Sequence, residues 1–174
     1  MSRLSRFLTV FVILAGVYIL LLRPAYQPPP LAPLTERIDH ILIEKADRRL
    51  TVYRNGKALR TYDIALGFTP MGDKEIEGDG KTPEGHFNIN RRNPDSAYHL
   101  SLGINYPQAQ DTAHARAIGK SPGGDIFIHG QPNSLPDAIT LPGDWTAGCV
   151  AVSNAEIEEL WQITPNGTPV EIRP

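Results

Sequence analysis

Asn55-Gly56 is the feature that most constrains the fold of this chain. Both residues tolerate positive φ, and they sit between two apolar-rich runs, residues 50–54 and 58–66. That arrangement predicts a β-hairpin closed by a type I′ turn. In the second run Tyr62, Ile64 and Leu66 fall on one face, as a half-buried strand requires. Similar short runs recur along the chain. Residues 38–44, 86–90, 98–105, 125–129, 149–152 and 168–172 read as further strands, separated by turn residues. Residues 67–83 are polar and glycine-rich and read as a long loop. So do residues 131–144, which are rich in proline, asparagine and aspartate. Only two helices are expected. One is capped by Asp111 and runs to Ala117, with Gly119 ending it. The other follows the Ser153–Glu156 capping box and runs to about Gln162, burying Ile157, Leu160 and Trp161. Many short strands with two short helices predict a mainly β fold rather than a doubly wound one.

The chain has 174 residues. Arg3 and Arg6 precede an uncharged, mostly apolar run over residues 7–22, about 24 Å as a helix. It reads as a signal-anchor over residues 1–23, with a cleaved signal peptide as the alternative. Residues 24–36 are a proline-rich spacer, five of the ten residues from 24 to 33 being proline. Residues 37–174 then form one domain, large enough for a core. Beyond the first thirty residues there are 14 basic and 19 acidic residues, a net charge of about −5. No basic stripe appears, which excludes nucleic acid as the expected partner. The membrane, through the N-terminal segment, is an expected partner.

Cys149 is the only cysteine. It follows Gly148 in D-W-T-A-G-C-V, and His129 lies twenty residues upstream, after D-I-F-I and before Gly130. A lone thiol forms no intrachain disulfide. Beside a histidine it can form a thiolate–imidazolium nucleophile. The competing reading makes Cys149 a small buried hydrophobe and His129 a strand-end residue with its hydrogen bonds satisfied. His86 and His114 read as structural or solvated. No H-E-x-x-H or H-x-x-x-H spacing exists, and the acidic loop around Asp73, Glu75, Glu77 and Asp79 lacks an EF-hand pattern. No metal or cofactor is expected.

The blocks I-H-G (residues 128–130) and T-A-G-C-V (146–150) resemble the defining motifs of the L,D-transpeptidase catalytic domain, the YkuD family. The blocks E-G-D-G-K-T-P-E-G-H-F-N-I (77–89), S-P-G-G-D-I-F-I-H-G (121–130) and W-T-A-G-C-V-A-V-S-N (145–154) look like its YafK-related branch. The resemblance covers roughly residues 38–172. It implies a β-sandwich with short peripheral helices, and a cysteine that forms an acyl-enzyme on peptidoglycan stem peptides in the bacterial periplasm. Carried over, Cys149 is the nucleophile and His129 its base. The Gly130 carbonyl orients the imidazole, and amides around Gly148 and Cys149 form the oxyanion hole. His99 and Thr146 are candidates for the substrate cleft, although a local hydrogen-bonding role suits Thr146 better. A transpeptidase is the first expectation. An amidase that releases a peptidoglycan-linked lipoprotein, a carboxypeptidase that trims stems, and a binding domain with a retired site are the alternatives. The implied location is the periplasmic face of the inner membrane, or the periplasm itself if the signal is cleaved. Two positions depart from the commonest family pattern. Ala147 stands where a second histidine is usual, and Ala151 where an arginine is usual.

Overall fold

A computed structural model describes residues 32–174. The expected hairpin is present: β2 (Arg49–Arg54) and β3 (Lys57–Asp63) pair antiparallel from Arg49–Asp63 to Arg54–Lys57. Asn55 and Gly56 have φ of 51° and 72°, both positive as a type I′ turn demands. On the other side β2 pairs antiparallel with β1 (His40–Glu44). The remaining strands are β4 (Gly85–Ser96), β5 (His99–Ile104), β6 (Phe127–His129), β7 (Val150–Ala151) and β8 (Pro169–Arg173). The sheet order is β3-β2-β1-β8-β4-β5-β6-β7, with β1–β8 and β6–β7 parallel.

The fold is mainly β, as expected, but β4 differs from its prediction. Five residues were expected and the strand runs for twelve. Its first part, Gly85 to Asn88, pairs with β8. The rest pairs with β5, through register shifts near Arg91 and Pro94. This strand therefore serves both halves of the sheet. Its polar second half, R-R-N-P-D-S, has little strand propensity of its own, and the ladder with apolar β5 overrides it.

The two ends of the strand order also meet. Just beyond β3, Ala65 and Ala151 exchange backbone hydrogen bonds of 2.9 and 2.8 Å, and Gly67 bridges Thr146. The curled sheet encloses a core that includes Ile41, Ile43, Leu50, Val52, Tyr62, Leu66, Leu102, Ile128 and Val150.

Two helices pack around it. The start of α1 (Ala109–Ala117) differs from expectation. Gln108 is its N-cap and Asp111 lies a turn inside, its carboxylate accepting the Gln108 amide at 2.7 Å. Helix α2 (Asn154–Ile163) begins with the expected capping box. Ser153 Oγ accepts from Glu156 N, while Glu156 Oε2 accepts from Ser153 N at 2.8 Å. Ile157, Leu160 and Ile163 are buried against the sheet, and Trp161 is only partly buried. Ser153→Ala is expected to cost about 1 kcal/mol of stability. A lower denaturant midpoint at unchanged slope would show it.

The expected membrane anchor needs correction. Among the described residues no helix is long and apolar enough to cross a membrane. The longer one, α2, has ten residues, about 15 Å against a hydrocarbon core of about 30 Å. The run over residues 7–22 lies outside the described residues, so a transmembrane helix and a membrane partner are not carried forward.

Candidate active site

Parallel pairing of β6 and β7 assembles the site. Ile128 is opposite Val150 and His129 opposite Ala151. Ile128 and Val150 point into the core. Alternation then puts His129, Phe127 and Ala151 on the other face, with Cys149 two residues before Ala151. The Phe127 amide donates to Cys149 Sγ at 3.4 Å, and the thiol donates to the Asp125 carbonyl at 3.4 Å. His129 and Cys149 thus share one face of adjoining strands, two positions apart in register.

His129 is 3% exposed. Its Nδ1 lies 2.7 Å from the Gly130 carbonyl oxygen. A carbonyl only accepts, so Nδ1 carries the proton and Nε2 of the neutral ring keeps a free lone pair. Burial lowers the imidazole pKa, against a smaller upward pull from the Gly130 carbonyl. Burial also raises the Cys149 thiol, outweighing the Phe127 amide that favours its thiolate. Both shifts favour a resting pair of neutral thiol and neutral imidazole. Among the described hydrogen bonds none joins the two; the thiol donates to the Asp125 backbone carbonyl instead.

Thr146 shapes the turn into Cys149. Its buried hydroxyl accepts the Gly148 amide at 3.1 Å and donates to the Cys149 carbonyl at 2.7 Å. The Gly148 amide is therefore engaged within the turn. The Cys149 amide has no such partner among the described hydrogen bonds. Gly148 has φ of 135°, and a Cβ there would stand 2.7 Å from the Lys81 carbonyl oxygen. A Cβ on Gly130 would meet Asn154 Oδ1 at 2.6 Å, the oxygen that accepts the Gln131 amide.

His99 has φ of 63°, and its Nε2 lies 2.8 Å from Glu158 of α2. Its neighbour Tyr98 is the residue that reaches His129, with ring centroids 4.6 Å apart. Trp145 stands on another side, at 5.7 Å. The sequence reading assigned neither aromatic a role. Each lies directly beside a residue it singled out, Tyr98 before His99 and Trp145 before Thr146, which was the available signal.

The acidic loop is held by its own contacts. Burial works against the Asp79 charge, but Lys74 and the amides of Lys81, Ile76 and Glu75 outweigh it and bring the carboxyl down to about 2. Among the described residues no cluster of three or more metal-ligating side chains forms.

A model of the L,D-transpeptidase catalytic domain, YkuD, matches residues 38–172. The chain belongs to this family. Its relatives include the putative L,D-transpeptidase YafK of Escherichia coli K12, 31% identical over 129 residues, 71% of this chain and 46% of that protein. The putative L,D-transpeptidase YkuD of Bacillus subtilis is 28% identical over 137 residues, 76% of this chain and 65% of that protein. Among solved structures, the helical cell shape determining protein Pgp2 of Campylobacter jejuni superposes with a TM-score of 0.60. It is 32% identical, over 79% of this chain and 48% of that one. The chain therefore spans between about half and two thirds of the length of these proteins.

The two departures from the common L,D-transpeptidase pattern occupy different surroundings. Ala147 is exposed in the turn before Cys149. Ala151 is 2% exposed and directly opposite His129. Arg91 is the guanidinium whose charge bears on the thiol. It stacks on Phe127 at 4.4 Å and pairs with Asp125 at 2.7 Å.

Proposed function

We propose that residues 37–174 are a catalytic domain that forms an acyl-enzyme between Cys149 and a peptidoglycan stem peptide, in the bacterial periplasm. The observation that carries this is the His129 tautomer. With Nδ1–H held by Gly130, Nε2 is the nitrogen free to take a proton, on the sheet face shared with the thiol. Substrate arrival would turn the thiol S–H away from the Asp125 carbonyl and pass its proton from sulfur to Nε2. The thiolate then attacks an amide carbonyl of the stem, forming a C–S bond. The developing oxyanion takes the Cys149 amide, the one not engaged by Thr146. Collapse breaks the C–N bond, and the imidazolium returns its proton to the leaving amine.

Resolution by a second stem's amine gives transpeptidation, and by water gives hydrolysis. The family supports the first. A bound lipoprotein whose link is cut is the alternative substrate of the second.

The test is mass spectrometry of purified muropeptides incubated with the full chain and its Cys149→Ala variant. Cross-linked or amine-exchanged products from the parent alone support transfer. Shortened stems or freed lipoprotein remnants from the parent alone assign hydrolysis. Identical products from parent and variant would refute thiol catalysis.

A further inference from the structure

Three segments converge on the His129 ring. Tyr98 comes from the β4–β5 turn, Trp145 from the segment leading to the nucleophile, and Gly130 from the exit of β6. The Tyr98 ring lies at 4.6 Å with a tilt of 32°, and Trp145 presents at 5.7 Å and 64°. The two aromatics also approach each other, at 5.9 Å. Backbone bonds tie the same parts together. The Gly130 amide donates to the Tyr98 carbonyl at 3.1 Å, and the Gly130 carbonyl accepts from His129 Nδ1.

The Trp145 indole N–H is buried with no hydrogen-bond partner. An orphaned buried donor is destabilising, so what Trp145 contributes here comes from its ring rather than from its N–H. Both ring centroids lie within about 6 Å of the imidazole centroid, the reach of a cation–π attraction.

We propose that Tyr98 and Trp145 are positioning residues of the thiol–imidazole pair, holding the His129 ring in one orientation and stabilising it as an imidazolium when the thiol proton arrives. This rests on the acyl-enzyme reading above. The polar side chains nearest the clamp are already engaged by partners of their own. His99 faces Glu158 of α2 at 2.8 Å, Arg91 faces Asp125 ahead of β6 at 2.7 Å, and Asp144, beside Trp145, faces Arg48 at 2.8 Å. Beside the Gly130 carbonyl and the thiolate itself, the two aromatic rings are what lie against a new positive charge on the imidazole.

Cys149 is the only cysteine, so alkylation by iodoacetamide reports on it alone. Rates are measured on the full chain between about pH 5 and 9, for the parent, Tyr98→Leu, Tyr98→Phe, Trp145→Leu and His129→Ala, with melting temperatures as the folding control. Tyr98 is 39% exposed in its turn, so its replacement leaves the core alone. Tyr98→Leu is expected to alkylate roughly five- to tenfold more slowly at neutral pH, with its midpoint moved to higher pH. Tyr98→Phe keeps the ring and should keep the parent profile. Trp145→Leu should follow Tyr98→Leu. Parent-like rates in folded Tyr98→Leu, or equal losses in Tyr98→Leu and Tyr98→Phe, would overturn the clamp. His129→Ala reports separately on the pair itself. If it alkylates like the parent, the acyl-enzyme reading fails and the clamp falls with it.

Discussion

His129→Ala is expected to acylate Cys149 at least about a hundredfold more slowly than the parent at neutral pH, the low end of what a positioned base contributes. Intact-protein mass spectrometry of early-quenched reactions with a purified muropeptide reads this directly. The pH profile carries a second signature. Burial lowers the imidazole pKa, so the parent's acid limb lies below the ordinary histidine value of about 6.5. Activity should persist into mildly acidic conditions. The variant has no such limb, and its residual rate simply climbs as the thiol ionises. Stability follows the same sign. Above about pH 6.5 the ring is neutral in both folded and unfolded chains. As pH falls below that, the unfolded chain binds the proton first and the parent loses stability. The His129→Ala protein should show a shallower decline of melting temperature between about pH 7 and 5. Equal acylation rates in both proteins would remove His129 from the mechanism.

Gly148→Ala is expected to damage stability and acylation together. A φ of 135° belongs to glycine, and holding a side-chain-bearing residue there costs of order 1–3 kcal/mol. The new methyl would also meet the Lys81 carbonyl at 2.7 Å and Ile126 Cδ1 at 3.3 Å. Neither neighbour yields easily, since one is backbone and the other is core. Relief must come from the turn, which breaks the Thr146 hydroxyl bridge and re-aims Cys149. The expected result is a melting temperature lower by several degrees and loss of acylation even in the fraction that folds. Circular dichroism melts beside the quenched mass spectra would check both. A variant with parent-like melting and acylation would mean that the turn does not depend on this glycine.

What could be read from the sequence was mostly local. Asn55-Gly56 specifies its turn through the φ values the two residues accept, and Ser153 with Glu156 specifies a helix start through bonds spanning three residues. The extent of β4 could not be read in this way. Its second half pairs because β5 lies beside it, and R-R-N-P-D-S carries no alternation to announce that. The Ala65–Ala151 pairing joins residues 86 positions apart in sequence, and alanine leaves no pattern.

The site divides similarly. Cys149 and His129 stand out alone because a thiol and an imidazole have chemistry of their own. The engagement of the Gly148 amide by Thr146 depends on turn geometry, and the stacking of Tyr98 and Trp145 on His129 depends on three distant segments meeting. Tyrosine and tryptophan in polar segments look like ordinary turn residues until the chain closes on them.

The two-residue strand that follows the nucleophile is bonded along both sides, by β6 on one and by Ala65 on the other. The Ala151 amide donates to the Ala65 carbonyl at 2.8 Å and, in a residue only 2% exposed, is covered by the strands on both sides and the core beneath. Its hydrogen should therefore exchange with deuterated solvent only when the whole molecule opens. Thiol chemistry and global integrity would then be lost in the same event, so an inactivated population should be an unfolded one rather than a folded chain with a slackened centre.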